Sequence, residues 1–195
     1  GNIFELDDLH RAAIIHPADT IMAAALAVAQ REKVSPQAFL DAVIRGYEVA
    51  IRVGLLAGTP HYQHWYSTAT CGVFGAATAC ASLLKLNAGQ ATNALAQAGM
   101  QASGVWQCRM ESGFSKQLAT GRSAQSGVLA ADLAAAGMAG PRHILEGQRR
   151  AVKQLEQEMI RPQLHQRRAG GMAKALVGVR QKHLEFHIAK GIADK

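Results

Sequence analysis

Alanine is the residue that most limits what this sequence can build: 37 alanines stand against ten aromatics, five Phe, two Trp and three Tyr. Alanine is the best helix former and the smallest side chain that still packs, whereas sandwiches and barrels draw on Val, Thr and Tyr. The expected fold class is therefore all-α, a bundle whose helices approach closely through small residues. With 195 residues, 49% hydrophobic and 18% charged, the chain is long enough for one domain with a proper core and is not composed like a disordered segment. No run of about 18 apolar residues occurs, so no membrane span is expected. The first residues also lack the basic-then-apolar order of a secretory signal. Cys71, Cys80 and Cys108 are odd in number and scattered. They support neither a disulfide framework nor a zinc site, and a cytoplasmic, reducing location is expected.

The formal net charge of +7 hints at nucleic acid, but its distribution argues otherwise. Residues 1–147 hold 10 Lys/Arg and 10 Asp/Glu; residues 148–195 hold 11 and 4, so the whole excess sits in the last stretch. A neutral body with a basic tail differs from a basic domain. The tail carries one aromatic, Phe186, and so offers no base-stacking platform. Nucleic acid is not expected as a partner. Two segments follow: a domain over 1–147 and a basic, divergent tail over 148–195.

Helix signals organise the body. Asp19 or Thr20 can cap a helix over 21–31. Ser35-Pro36 pairs a capping hydroxyl with a proline at the first helical position. Leu40, Val43, Ile44, Tyr47, Ile51 and Leu55 then recur at three- and four-residue steps up to Gly58-Thr59-Pro60. Residues 61–68 are expected as a loop. A third helix is expected over 69–86, broken by Asn87-Ala88-Gly89. A fourth spans 90–102, a fifth 121–136, and a short one 142–146. Gly72, Gly75, Gly99, Gly104, Gly121 and Gly127 lie in or beside these helices. Each interior glycine costs about 1 kcal/mol against alanine, which close helix–helix contact explains for most of them. No glycine-rich phosphate loop is present. Past Gly147 the chain turns Gln- and Arg-rich, with a helix expected over 149–160 up to Pro162.

Three places carry chemistry. Glu5, Asp7, Asp8, His10 and His16 put three carboxylates and two imidazoles within twelve residues, the groups that proton abstraction beside a carboxylate requires. The same residues also suit an exposed acidic turn that caps a helix. The gap from His10 to His16 is not the four-residue step of a helical metal pair, so no metal is expected. His61-Tyr62-Gln63-His64-Trp65-Tyr66-Ser67-Thr68 leads into a helix N-terminus, where an anion can bind, and Ser67 or Thr68 can equally be a plain cap. Lys116, among small residues, can meet a substrate carboxylate or sit on the surface. No cysteine has a thiolate-activating neighbour.

The stretches ELDDLHRAAIIHPAD, AVIRGYEVAIRVG, HYQHWYSTATCGVFGAATACASLL, SKQLATGRSAQSGVLAADLAAAG and GPRHILEG, in this order over about residues 4–147, resemble the MmgE/PrpD family. That family includes 2-methylcitrate dehydratase, cis-aconitate decarboxylase and an iminodisuccinate epimerase. The resemblance implies an all-helical domain that, in full-length members, packs against a second α+β domain with the active site between them. It implies a homodimer, a small di- or tricarboxylate substrate and no cofactor. Glu5–His10 matches the family's acidic stretch with Asp7 and Asp8 retained, Glu5 standing for the usual aspartate and Leu9 for a threonine. His16 matches the histidine of an HPG-like motif. His64-Trp65-Tyr66 matches Gly-Trp-His, with Tyr66 at the histidine position and His64 as a substitute. Lys116 matches the family lysine, and Ala119 replaces a following histidine.

By this resemblance His16 is the acid/base residue and Lys116 binds a carboxylate. Asp7 and Asp8 orient groups or share protons, Tyr66 or His64 closes the site, and Glu5, His10, Trp65, Ser67 and Thr68 surround the substrate. The reaction is proton abstraction alpha to a carboxylate with loss of water, as in 2-methylcitrate dehydratase; decarboxylation and epimerisation are the alternatives within the family. Because the resemblance fades near Gln148, where the charge excess begins, the expectation is a truncated or frame-shifted product without the second domain and with little activity alone, the alternative being a genuine shortened homologue with its own C-terminal helix. A non-catalytic helical interaction protein, its basic tail binding an acidic partner, is the alternative of another class. Binding that collapses with salt and with deletion of 148–195 marks it.

Overall fold

The computed structural model describes residues 4–111 and 113–147. The basic stretch 148–195, with the helix expected over 149–160, lies outside the described residues. In chain order come α1 (Pro17–Arg31), α2 (Pro36–His64), α3 (Ser67–Leu83), α4 (Ala88–Gln101), a 3-10 turn at Trp106–Arg109 and α5 (Ser115–Ala135). The architecture is all-α; among the described residues the β pairings are isolated bridges, His10 with Ile15 and Trp65 with Val105. No described helix is long and apolar enough to cross a membrane.

Local chemistry sets the helix starts. Ser35 accepts the Ala38 N–H at 3.2 Å ahead of Pro36. α3 ends at Leu83, a little before the expected break, and Asn87 then starts α4 through a reciprocal capping box with Gln90. α1 begins at Pro17 and not at Ile21, because proline suits the first helical position and the cap arrives from a distance. The Asp8 carboxylate accepts the Ala18 N–H at 3.1 Å. Asp19 is thus not a cap; it lies buried inside the first turn. α5 likewise begins before the expected 121, and 142–146 forms turns, not a helix. The expected loop over 61–68 is also mostly helical. Gly58, at φ 68° and ψ −171°, breaks α2, and Pro60 opens a further helical turn that runs to His64. Only Trp65 and Tyr66 are extended before α3.

α3 is the hub. Every residue of it except Ser82 is buried, and α1, α2, α4 and α5 all pack on it. A helix apolar on all sides belongs at the centre of a bundle. Small residues make the arrangement possible. A Cβ placed on Gly75 would lie 2.6 Å from the Gly46 carbonyl oxygen and 2.8 Å from the Ala50 Cβ, so the α2 and α3 backbones nearly touch. Gly127 of α5 meets Ala76 and Ala77 in the same way. Gly121 faces open space, and Gly104 serves a turn at φ 133°.

These two kinds of glycine predict opposite outcomes. Gly75→Ala should lower unfolding stability by about 1–3 kcal/mol, because rigid backbone cannot yield. Gly121→Ala should raise it by about 0.5–1 kcal/mol through helix propensity alone. Urea denaturation of the two variants beside the parent checks both signs.

Candidate active site

The segment before α1 is held by a tight turn. The His10 N–H donates to the Ile15 carbonyl at 2.9 Å, and His10 Nδ1 accepts the Ala13 N–H at 3.2 Å. Ile14 takes φ 52°, an uncommon conformation for a β-branched residue. The turn drives Ile15 fully into the core and delivers His16 to the head of α1. His10 is thereby committed on its Nδ1 side to the backbone.

His16 is fixed at two points. Its backbone N–H donates to Thr68 Oγ1 at 3.1 Å, which ties the head of α1 to the first turn of α3. Its Nδ1 lies 2.6 Å from the Asp8 carbonyl oxygen. A carbonyl only accepts, so Nδ1 carries the hydrogen and the neutral ring keeps its lone pair on Nε2. The Asp7 carboxylate adds negative charge 3.1 Å from the same Nδ1. Asp8 therefore has two tasks: its carboxylate caps α1 and its carbonyl orients the imidazole. Tyr47 of α2 faces Asp8, and burial together with that carboxylate pushes its phenol well above the usual range.

A second limb crosses from α3 to α5. Tyr66 is 2% exposed, and its hydroxyl accepts from Thr120 at 3.4 Å and also contacts Thr68. Its ring stacks on Trp106 with centroids 4.8 Å apart. Burial raises the Tyr66 phenol above its ordinary value, against the opposing pull of Thr120, Thr68 and Lys116. One turn before Thr120, Lys116 places its ammonium 6.0 Å from the Tyr66 ring centre and 2.7 Å from Glu5 Oε1. Burial alone would lower the Lys116 pKa, but Glu5, Tyr66 and Asp7 outweigh it, so the net shift is upward and the group stays charged. Asp8, His16, Thr68, Tyr66, Thr120, Lys116 and Glu5 thus form one connected path of polar contacts.

Not every candidate joins this path. His64 is exposed at the end of α2, with no hydrogen bond to the network. Trp65 is 39% exposed and stacks on His61. Ser67 is buried in the first turn of α3. A cavity of about 460 Å³ opens alongside, lined by Ser103, Gly104, Cys108, Leu118 and Arg122 among others, and it includes neither His16 nor Lys116. Sequence reasoning missed Thr120, Trp106 and the pairing of Asp19 with Asp7. Asp19 stands three residues after His16, a spacing that shares a helical face and is the signal that points to it. Among the described residues no three His, Cys, Asp or Glu side chains converge as metal ligands.

An all-helical domain with an imidazole, a lysine and several carboxylates gathered at the helix ends is equipped for acid/base chemistry on anions. The model of the MmgE/PrpD N-terminal domain matches residues 1–161, and the chain belongs to that family. It is similar to the cis-aconitate decarboxylase-like protein oryM of Aspergillus oryzae (strain ATCC 42149 / RIB 40), with 30% identity over 151 residues. That alignment covers 73% of this chain and 31% of the relative, so the chain spans about a third of the relative's length.

His61 gives a pH prediction. Burial lowers its pKa to about 4 from an ordinary 6.5, and its Nε2 lies 2.6 Å from Thr70 Oγ1. The folded state resists protonation that the unfolded chain accepts near 6.5. Stability from this group is therefore whole above that pH and is lost as pH falls toward 4. In His61→Gln the fall should be shallower, as melting temperatures between pH 4 and 7 will show.

Proposed function

We propose that this chain is the helical part of an enzyme acting on small di- or tricarboxylates through proton transfer at the carbon alpha to a carboxylate. The observation that carries the reading is the fixed tautomer of His16: with Nδ1–H given to the Asp8 carbonyl, Nε2 is the basic nitrogen. Nε2 takes the alpha proton, and the electron pair left on carbon moves toward the substrate carboxylate as an enediolate. The Lys116 ammonium offsets the charge there. In the dehydration reading, the pair then forms the carbon–carbon double bond while hydroxide leaves the beta carbon, protonated to water by the imidazolium. Tyr66, neutral and held by Thr120, positions Lys116, whose ammonium lies 6.0 Å from its ring centre. Glu5, which holds Lys116 when no substrate does, is displaced by a substrate carboxylate.

The particular reaction proposed is dehydration of a 2-methylcitrate-like acid. The name of the relative from Aspergillus oryzae supports decarboxylation of a cis-aconitate-like acid as a second reading. There no alpha proton is taken: the carbon–carbon bond to one carboxylate breaks, carbon dioxide leaves, and His16, entering protonated from solvent, gives the electron pair left on carbon its proton. A homodimer in the cytoplasm belongs to the same proposal. Catalysis depends on positioning groups from all sides of the substrate. Binding of substrate is therefore the first readout of the polar path, ahead of turnover.

Titration of the chain with 2-methylcitrate, cis-aconitate and propionate, followed by NMR, tests this. The two polycarboxylates should shift the Lys116 and His16 signals, and propionate should not. Lys116→Gln should weaken binding at least about tenfold, the cost of losing one charged hydrogen bond, and Glu5→Gln should tighten it by removing the competitor. Absence of any shift at about 10 mM polycarboxylate, a concentration that detects even the millimolar range, would overturn the proposal.

A further inference from the structure

We propose that Asp19 is a positioning residue for His16: it holds a proton shared with Asp7, and the pair keeps a single negative charge against the Nδ1 edge of the imidazole. This rests on the reading of His16 as the acid/base group. The Asp7 side chain is 4% exposed and Asp19 is 9% exposed. Each leaves its Oδ2 buried without a hydrogen-bond partner, and the two side chains lie close enough to act on one another. Two ionised carboxylates only accept, so neither can satisfy the other. One proton between them supplies the missing donor and removes the repulsion of two like charges in a desolvated place. Asp7 passes the effect on, because its Oδ2 lies 3.1 Å from His16 Nδ1, whose own hydrogen is given to the Asp8 carbonyl.

The surroundings favour the shared proton. Asp8 adds negative charge from the same segment. Tyr47 from α2 and Tyr66 from the head of α3 face the pair, both held in the neutral form by burial. Lys116 from α5 feels Asp7. Burial first, then the hydrogen bond and the charge of Asp7, push Asp19 from 3.8 up to about 7. In the unfolded chain the same proton leaves near 4. The stability it gives is whole below that pH and is lost as pH rises through about 7. Over that rise the charge beside Nδ1 goes from one to two.

The test is NMR on the whole chain, with aspartate Cγ labelled in carbon-13 and histidine rings in nitrogen-15. In the parent, one aspartate carbon should inflect near pH 7, and the His16 nitrogens should show the same inflection. Asp19→Asn supplies an amide hydrogen to Asp7 at every pH. It should keep the Nδ1–H tautomer and erase the inflection near pH 7 from the His16 curve. An Asp19 with only a structural role would change the melting temperature and leave the His16 curve alone. The proposal falls if every aspartate carbon of the parent inflects below about pH 5.5, within the ordinary range for the group; that measurement needs no variant. It falls equally if the His16 curves of parent and Asp19→Asn coincide. Polycarboxylate binding is a separate readout. Its failure with the inflection intact removes the proposed substrate class alone, and loss of the inflection with binding intact removes this inference alone.

Discussion

The near-contact of α2 and α3 at Gly46 and Gly75 is the constraint on which the rest of the structure depends. Two backbones at this distance leave no space for a side chain at the crossing. The same closeness recurs where Gly72 meets Thr20 of α1 and where Gly127 of α5 meets Ala76. With α3 gripped on three sides by contacts that cannot slide, its first turn has one position relative to the heads of α1 and α5. The hydrogen bonds His16 N–H to Thr68 and Ser123 to the Ala69 carbonyl, 3.1 and 2.8 Å, are therefore consequences of packing as much as causes of it.

The polar groups sit where that packing stops. Helix starts leave backbone N–H groups unsatisfied, and the heads of α1 and α3 lie side by side. Carboxylates near a helix N-terminus are favoured by the exposed amides there, which is why a segment as acidic as 5–8 can settle at this end. Low exposure then makes each charge matter more than it would in water. Asp8 answers an amide of α1, Glu5 answers Lys116, and Asp7 faces Asp19 beneath the imidazole. A dry floor and a wetter rim, with His16 between them at 25% exposure, is an arrangement in which a ring can be held firmly and still meet a ligand.

What the sequence disclosed was mostly local. The Ser35-Pro36 start and the apolar face of α2 follow from neighbours three and four residues apart, and so does the need for close packing at most interior glycines. The order of short motifs was enough to indicate the family. What it hid were partners far apart along the chain. The cap of α1 is ten residues before Ala18, whose N–H it accepts, whereas local spacing points to Asp19 or Thr20. The restart of α2 at Pro60 was masked by a Gly-Thr-Pro string that normally ends a helix. Thr120 meets Tyr66 across 54 residues, and no spacing rule connects them. The site was thus legible as a set of residue types near helix ends, while the wiring among them waited for the tertiary contacts.

The hub has a further consequence for how such a protein can diversify. At Gly46, Gly75 and Gly127 any added side chain collides with main chain, so variation at those crossings is confined to the smallest residues. The rim is under no such restriction: Leu6, Leu9, Trp65, Val105 and Leu118 all stand well into solvent. Descendants of one ancestor could therefore acquire different tastes by repainting this border while inheriting an interior that hardly changes, and relatives should be recognisable by their small residues long after their preferences have parted.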